Sequence, residues 1–358
     1  MAQTMILPGT YVEVRAEGLI APSGVPTGNI GIVGTANQGA ENEVKLVSSL
    51  SEAKEIFGDS KQAPEIQVEL TLVRALELIY KNGGQTVYAV RTSGAKPEDY
   101  QKSLALLENQ IVNIVVLAGQ DANQKSMVDA LQGHLKTTAG IKRERIGIIG
   151  SGFKNDKDDF DQIRNHTLSD DEGRLIFTAP GILMTSAGKV ETKSGAYLAA
   201  AIAGLIASLN VQASPTNKNL SIEGLTTEFN NAQLEELVQK KVLTVEARSG
   251  YRVVKGITTA NSPWNQITTR RIVDYAIYGV RSSCDPYIGK LNNERVRGAM
   301  KATLDAFLTS MVESEALIGY QLEVSATRPQ EVAGQVAVKM ILQPTFSIDF
   351  IQVTMYLG

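Results

Sequence analysis

Two glycine-rich turns follow apolar runs that are typical of buried strands, and turns of this kind can hold a phosphate group. They lie at Gly31–Gly39 and Ile146–Gly152. Neither has the G-x-G-x-x-G spacing of a dinucleotide site, and the chain has no G-x-x-x-x-G-K-S/T phosphate loop. We therefore interpret both as structural turns. Nucleotide binding by an α/β module stays open as an alternative function.

Four aspartates lie close together in a highly charged segment, and their carboxylates could in principle bind a calcium ion. They are Asp156, Asp158, Asp159 and Asp161. The twelve-residue calcium loop closes with a glutamate, which is missing here, and Lys157 interrupts the run. The segment therefore indicates a solvated acidic loop, with a helix over residues 158–165.

Histidine and cysteine are too scarce to assemble a familiar catalytic or metal site. His134 lies in a predicted helix and His166 in a loop, without a serine or cysteine signature near either. Cys284 is the only cysteine, so an internal disulfide is excluded, and we interpret it as a small buried side chain. We predict no enzyme activity, no metal and no cofactor.

Composition describes an ordinary globular protein long enough for two domains. The 358 residues are 43% hydrophobic and 20% charged, with a formal net charge of -3. That charge gives no basic excess for nucleic acid or an anionic membrane. The start, Met1–Gly9, lacks the pattern of a signal peptide, and the apolar run Ala196–Leu209 is too short to span a bilayer. We expect a soluble chain that folds in a cytoplasm, without nucleic-acid partners or membrane insertion.

The first half of the chain alternates between strand and helix patterns. Predicted strands lie at 29–34, 44–47, 86–90, 111–118, 145–149 and 174–178. Predicted helices lie at 65–80, 97–108, 124–138 and 194–209, with a shorter one capped by Ser48 or Ser51 and ended by Gly58. This alternation predicts an outer α/β domain over residues 29–210.

The second half has a different pattern, which predicts an inner α+β domain over residues 211–343. Helices are expected at 231–240, 266–282 and 292–311, and a hairpin around Ser249–Gly250. Two further strands, 321–327 and 336–342, are expected to pair as the approach to the terminal segment.

Both ends of the chain carry strand patterns. Residues 5–15 contain a Pro-Gly turn and a short strand, and residues 16–28 form a Gly/Pro-rich linker. At the other end, strict apolar alternation from Val336 changes phase between Phe350 and Ile351, which suggests a bulge or a change of partner. From the pattern alone, the terminal ribbon is either a strand of its own domain or one given to a neighbouring copy.

The order of several motifs resembles the tail sheath proteins of contractile phage tails and related contractile injection systems. The N-terminal PGTYVEV is followed by the buried strand Gly31–Gly34 and by the SLSEAKEIFG helix segment, Ser49–Gly58. Later come LELIYKNGGQTVYAVR, RIVDYAIYGVRSS and LNNERVRGAMKATLDAFL, and the chain closes with FSIDFIQVTMYLG. A phage tail and an extracellular injection particle are equally compatible with these motifs.

The resemblance implies that each subunit lends its terminal strands to neighbours. Residues 1–28 would be a donated strand with its linker, and residues 344–358 a second donated strand. Strand exchange would be carried by Gly9, Thr10, Tyr11, Val12, Glu13, Val14, Phe346, Ile348, Phe350, Ile351, Val353, Met355 and Leu357. The implied partners are further copies in stacked six-membered rings, an inner tube, and baseplate and cap proteins. Assembly in the producing bacterium's cytoplasm would precede incorporation into the particle.

The family's tube-facing contact implies a role for cations in the second half. We expect Arg295, Arg297 and Lys301, on the 292–311 helix, to face an acidic inner tube. The competing interpretation is a solvated helix face. A rigid helical polymer that never contracts is a further alternative for the whole protein.

Overall fold

The computed structural model describes residues 26–59, 69–152, 156–186, 188–261 and 263–356, with the side chains of 156–159 left out. Several predictions therefore lie outside the described residues. These are the N-terminal strand with Gly9–Val14, most of the linker that follows, the first residues of the predicted 65–80 helix, and Leu357.

The described chain alternates between strands and helices before ending in helices and a hairpin. Its earlier elements are β1 (Ile30–Gly34), β2 (Val44–Val47), α1 (Leu50–Phe57), α2 (Leu72–Lys81), β3 (Val87–Arg91), α3 (Pro97–Leu107), β4 (Ile114–Asp121), α4 (Lys125–Gly140), β5 (Ile146–Gly150), α5 (Asp156–Arg164), β6 (Leu175–Ala179), β7 (Ile182–Ser186), β8 (Lys189–Lys193) and α6 (Gly195–Ser208). Its later elements are β9 (Asn219–Leu220), β10 (Gly224–Leu225), α7 (Asn231–Gln239), β11 (Val242–Ala247), β12 (Tyr251–Val253), α8 (Ile267–Cys284), α9 (Glu294–Glu313), β13 (Leu317–Ser325), α10 (Arg328–Val332) and β14 (Ala337–Pro344).

A nine-stranded sheet organises the larger part of the molecule, which we call the layered region. Its strand order is β2-β3-β1-β4-β5-β6-β11-β12-β9, parallel from β3 to β11 and antiparallel at both margins. Strands β9, β11 and β12 lie beyond residue 210, yet β11 pairs in parallel with β6. The predicted domain boundary at 210/211 is therefore wrong, because it cuts through one hydrogen-bonded sheet.

Helix α6 shows how the alanine-rich run is used. It is buried along residues 195–206 and packs between α2 and the sheet. The contact is close: a Cβ on Gly204 would lie 2.3 Å from the Ile79 carbonyl oxygen. Small side chains allow this approach, as predicted. None of the helices among the described residues combines the length and the apolar character needed to cross a membrane.

Two helix starts differ from the prediction. Helix α1 is capped by Ser49, whose Oγ accepts from the Glu52 amide at 3.2 Å, whereas Ser48 donates to the Glu52 carboxylate. Helix α2 begins only at Leu72. The amides of Thr71 and Leu72 donate to the Thr35 carbonyl, at 3.1 and 3.0 Å, so the chain is tied to the end of β1 before the helix can begin.

The small sheet β10-β7-β8, strand β9 and helix α10 were not predicted. The remaining elements agree with prediction to within a few residues, including the hairpin β11–β12 and the helix α9.

Helices α8 and α9 and the hairpin β13–β14 form the C-terminal region. The rings of Tyr275 and Phe307 lie 5.7 Å apart between the two helices. Strands β13 and β14 pair antiparallel, which confirms the predicted pairing. One face of the hairpin packs on the helices through side chains including Leu322, Met340 and Leu342, and the other face is exposed.

Candidate assembly surfaces

The terminal segment, residues 345–356, forms no strand and exposes large apolar side chains. Over the part of it that the structure describes, no ladder joins it to the chain's own sheets. The exposed fractions run from 57% to 85% for the predicted exchange residues Phe346, Ile348, Phe350, Ile351, Val353 and Met355. Of the two alternatives for the terminal ribbon, a strand in a sheet of its own domain is therefore not found in the fold. An apolar surface of this kind marks an interaction site.

The hairpin β13–β14 is a matching surface. Its sheet has only these two strands among the described residues, so one edge of each strand is left without a ladder partner. Such edges offer rows of backbone donors and acceptors to another strand. A hairpin edge and an unpaired alternating segment thus lie next to each other in sequence, at residues 337–344 and 345–356.

The three predicted tube-facing cations are not equivalent. Arg297 donates to Glu331 Oε1 at 2.9 Å and to Asn292 Oδ1 at 2.8 Å, and its side chain is only 11% exposed. Hydrogen bonds from Arg328 and then Arg297 hold the pKa of Glu331 below its usual value. Arg295 and Lys301 are exposed. The structure does not test whether any of them meets a tube.

An apolar tip that was not predicted from the sequence lies beside the Arg297–Glu331 pair. Ile288, Leu291 and Val332 are each 77–79% exposed. A hydrogen bond from Asn292 Nδ2 to the Gln335 carbonyl, 2.9 Å, ties the loop before α9 to the turn after α10. In the sequence, this tip is visible as two large apolar residues, Ile288 and Leu291, on either side of Gly289-Lys290 in a mostly polar loop.

The first glycine-rich turn lies where doubly wound sheets bind nucleotides, outside the carboxyl ends of β1 and β4. Side chains fill that position here. Thr35 Oγ1 and Thr71 Oγ1 lie 3.1 Å apart, and Thr71 Cγ2 lies 2.3 Å from where a Cβ on Gly119 would be. Tyr100 donates to the Ala118 carbonyl at 3.2 Å, and burial raises the pKa of Tyr100 to about 12. A packed crevice disfavours the nucleotide-binding alternative.

The second glycine-rich turn serves packing. A Cβ on Gly150 would lie 1.8 Å from the Gly195 carbonyl oxygen, so β5 can approach the start of α6 only with glycine there. The backbone continues the contact, since the Gly195 amide donates to the Ser151 carbonyl at 2.7 Å.

The two histidines lie in separate structural settings. Arg145 Nη1 lies 3.1 Å from His134 Nε2, and burial lowers the pKa of His134 to about 3. His166 Nε2 lies 2.7 Å from the Lys240 carbonyl, and burial lowers its pKa as well. Burial raises the pKa of the Cys284 thiol, which opposes a nucleophilic role. Among the described residues, no three metal-binding side chains gather in one place.

Two family models match the chain. The phage tail sheath protein central domain matches residues 93–259, and the phage tail sheath C-terminal domain matches residues 259–358. Both the meeting point at residue 259 and the end of the nine-stranded sheet at Val253 lie well after the predicted boundary. A search of curated proteins found no match.

Solved structures share the fold over nearly the whole chain. The helical sheath of the anti-feeding prophage (AFP), in the contracted state, has a TM-score of 0.76 at 18% identity, covering 99% of each chain. The sheath complex of the PVC extracellular contractile injection system, also contracted, has a TM-score of 0.73 at 16% identity, covering 99% of this chain and 98% of that one. A sheath tail protein from Desulfitobacterium hafniense has a TM-score of 0.65 at 11% identity, covering 94% and 100%.

The matched models together span residues 93–358, and the AFP sheath match covers 99% of the chain. Members of this family are structural proteins and not enzymes. The chain belongs to the phage tail sheath protein family, and it is a sheath subunit.

Proposed function

We propose that this sheath subunit assembles as stacked six-membered rings around an inner tube, and that the sheath contracts to drive the tube through a target envelope. The observation that carries the proposal is that one subunit has both an exposed segment of alternating apolar residues, 345–356, and a hairpin with two unpaired edges among the described residues. The contracted AFP and PVC sheaths, which have the same fold, support contraction.

Assembly would proceed by strand exchange. The terminal segment of one copy would pair with β13–β14 of another, and residues Gly9–Val14 would do the same at the opposite end of the chain. Burying an apolar side chain gains about 1.5–3 kcal/mol, while ordering a residue costs about 1–2 kcal/mol. One donated strand is therefore marginal alone, and a lattice that supplies many linked strands at high effective concentration makes the exchange stable.

The open edges also explain why a closed monomer would not be the final state. The hairpin's inner face already packs on α8 and α9, so an added strand would extend an existing core instead of founding a new one. An isolated two-stranded sheet is marginal in water, and further strands stabilise it.

Contact with an acidic inner tube would use the cations of α9. Arg295 and Lys301 are exposed and available, whereas Arg297 would serve by holding the α9 start against α10 through Glu331. Charge reversal at Arg295 and Lys301 should lower tube-dependent assembly. Glu331→Gln would isolate the contribution of the Arg297 pair.

Baseplate and cap proteins would close the two ends of the sheath. An AFP baseplate structure contains a chain of the same fold, with a TM-score of 0.73, which supports a place in a phage tail or injection particle. The producing bacterium's cytoplasm would be the site of assembly.

The deciding experiment compares the full-length chain with a truncation ending at Gln343 by negative-stain electron microscopy. Hollow cylinders or six-fold rings from the full-length chain, and folded monomers from the truncation, are expected. Unassembled monomers from both the full-length chain and the truncation would contradict strand exchange. Cylinders of one length and width under every condition tried would favour a polymer that does not contract.

A further inference from the structure

Besides the Thr345 amide, which donates to the Ala316 carbonyl at 3.1 Å, the polar side chain of Asp349 attaches the terminal segment to its own subunit. Asp349 Oδ2 lies 3.4 Å from Lys255 Nζ and accepts from Gln266 Nε2 at 3.2 Å, while Ser347 Oγ donates to Asp349 Oδ1 at 3.1 Å. The Asp349 side chain is 10% exposed. It is therefore enclosed within a segment whose apolar neighbours are mostly in solvent.

The ammonium group of Lys255 contributes a second contact. It lies 4.8 Å from the centroid of the Phe350 ring, within the range of a cation–π interaction. Lys255 thus holds two consecutive residues, Asp349 by charge and Phe350 by its ring. Beyond Phe350 the described residues have no such attachment in the structure, and it is there that the apolar alternation changes phase.

The attachment point lies close to the base of the N-terminal arm. Gln266 is the N-cap of α8, and Arg271 in the same helix donates to the Thr27 carbonyl at 3.2 Å. Five residues correspond to about 7.5 Å along a helix. Asn113 Nδ2 also donates to the Pro26 carbonyl at 3.0 Å, which fixes the chain just before β1. Thr27 and Asp349 are therefore both held within the first two turns of α8.

We propose that Asp349 is a positioning residue for strand exchange, an inference that rests on the proposed function. It divides the terminal segment in two. Residues 345–350 form a root, held on its own subunit by Lys255 and Gln266, whose exposed apolar side chains still face the neighbouring copy. Residues 351–356 form the transferable strand. The root sets the point and direction of departure of the strand, beside the base of the N-terminal arm. The partner is a second copy of this chain.

A positioned root raises the effective concentration of the donated strand at its acceptor, because fewer conformations of the segment point elsewhere. Loss of the anchor would slow assembly without disturbing the folded subunit, since residues 346–356 bury little apolar surface on their own chain. The anchor and the acceptor hairpin are therefore separable by substitution.

The test uses full-length Asp349→Lys, Lys255→Asp and the double charge swap, with Asp349→Asn as a milder change. We expect each charge reversal to slow cylinder formation, followed by light scattering and electron microscopy, by about tenfold or more. The swap should restore most of the rate, and the thermal unfolding midpoint should stay unchanged. Asp129→Lys, the same charge change at an exposed site on α4, is the control.

Wild-type assembly rates in Asp349→Lys, or a charge swap that fails to recover, would overturn the anchor. A charge reversal that lowers the unfolding midpoint would also count against the anchor. In that case, the assembly rate of Asp349→Asn would be compared with that of the wild-type chain at equal stability. The truncation ending at Gln343 separates the two proposals. If it fails to assemble while Asp349→Lys assembles normally, strand exchange stands and only the anchor falls.

Discussion

The layered region and the C-terminal region use their backbone hydrogen bonds in opposite ways. In the layered region, strands β1 and β3–β6 each have neighbours on both sides, and helices cover both faces of the sheet. In the C-terminal region, two strands share one ladder and leave two edges unpaired among the described residues. The first region pairs its central strands within the chain, whereas the second leaves edges to which a strand of another copy would add under the proposed exchange.

The same contrast separates buried from exposed apolar residues. Large side chains such as Tyr100, Tyr197 and Phe177 are buried in the layered region, while Ile348, Phe350 and Ile351 at the end of the chain are exposed. Stability and assembly should therefore respond to different sets of residues. The following predictions test this separation, beginning with the largest expected effect.

The junction between the two regions should be the most sensitive site. Asp274 in α8 accepts from Arg174 Nη1 at 3.0 Å and from Arg270 Nη2 at 2.7 Å, and Arg174 immediately precedes β6 of the layered region. Asp274→Asn would remove the carboxylate that two mostly buried guanidinium groups share, leaving Arg174 with its ion pair to Glu172 at 3.0 Å and Arg270 with the Glu172 carbonyl. We expect a loss of about 3–5 kcal/mol in the free energy of unfolding, measured by urea denaturation.

An exposed pair is the control for that substitution. Arg248 and Glu246 form a surface ion pair at 3.2 Å, and Glu246→Gln should change stability by less than about 1 kcal/mol. A loss for Asp274→Asn that is as small as the one expected for Glu246→Gln would show that the junction contributes little to stability.

Two substitutions in the C-terminal part separate stability from assembly. Leu304 is fully buried against Met300 and Tyr287, so Leu304→Ala should cost about 2–5 kcal/mol. Ile348 is exposed, so Ile348→Ala should change the unfolding free energy by less than about 0.5 kcal/mol. Its effect should appear in cylinder formation instead, by light scattering.

A monomer stability that falls as much for Ile348→Ala as for Leu304→Ala would contradict this division. It would mean that the terminal segment packs on its own subunit in solution.

The last prediction concerns pH. Burial lowers the pKa of His134 to about 3 in the folded chain, against about 6.5 when unfolded, so between these values the unfolded state binds the additional proton. Its contribution to stability is fully present above pH 6.5 and is lost as pH falls toward 3. The slope from this one group reaches about 1.4 kcal/mol per pH unit. His134→Gln, which keeps an acceptor for Arg145, should flatten the curve of unfolding free energy between pH 6.5 and 4.

His166→Gln is the substitution matched to His134→Gln. Because burial also lowers the pKa of His166, this change should affect the pH dependence of the unfolding free energy in the same direction. An unchanged pH profile in His134→Gln would show that this histidine titrates equally in the folded and unfolded chains.

Local periodicity predicted most elements of the fold. Helix α9 buries Met300, Leu304, Phe307 and Met311 at helical spacing, with Val296 half-buried, and the β13–β14 pairing follows from alternation on both strands. Helix α2 was predicted too long, since its start depends on hydrogen bonds to Thr35, which is distant in sequence. Which strands share a sheet likewise depends on residues distant in sequence. The predicted boundary at 210/211 is wrong because β11, which lies after it, pairs with β6, which lies before it.

For the candidate assembly surfaces, the apolar alternation at the end of the chain can be read directly from the order of residues, because side-chain period is a local property. The glycine, histidine and cysteine patterns likewise favour no catalytic site. The partners of Arg297 and Asp349 could not be read in this way: Arg297 pairs with Glu331, and Asp349 contacts Gln266, 83 residues away. A side chain's charge is written in the sequence, but its partner is chosen when the fold brings distant segments together.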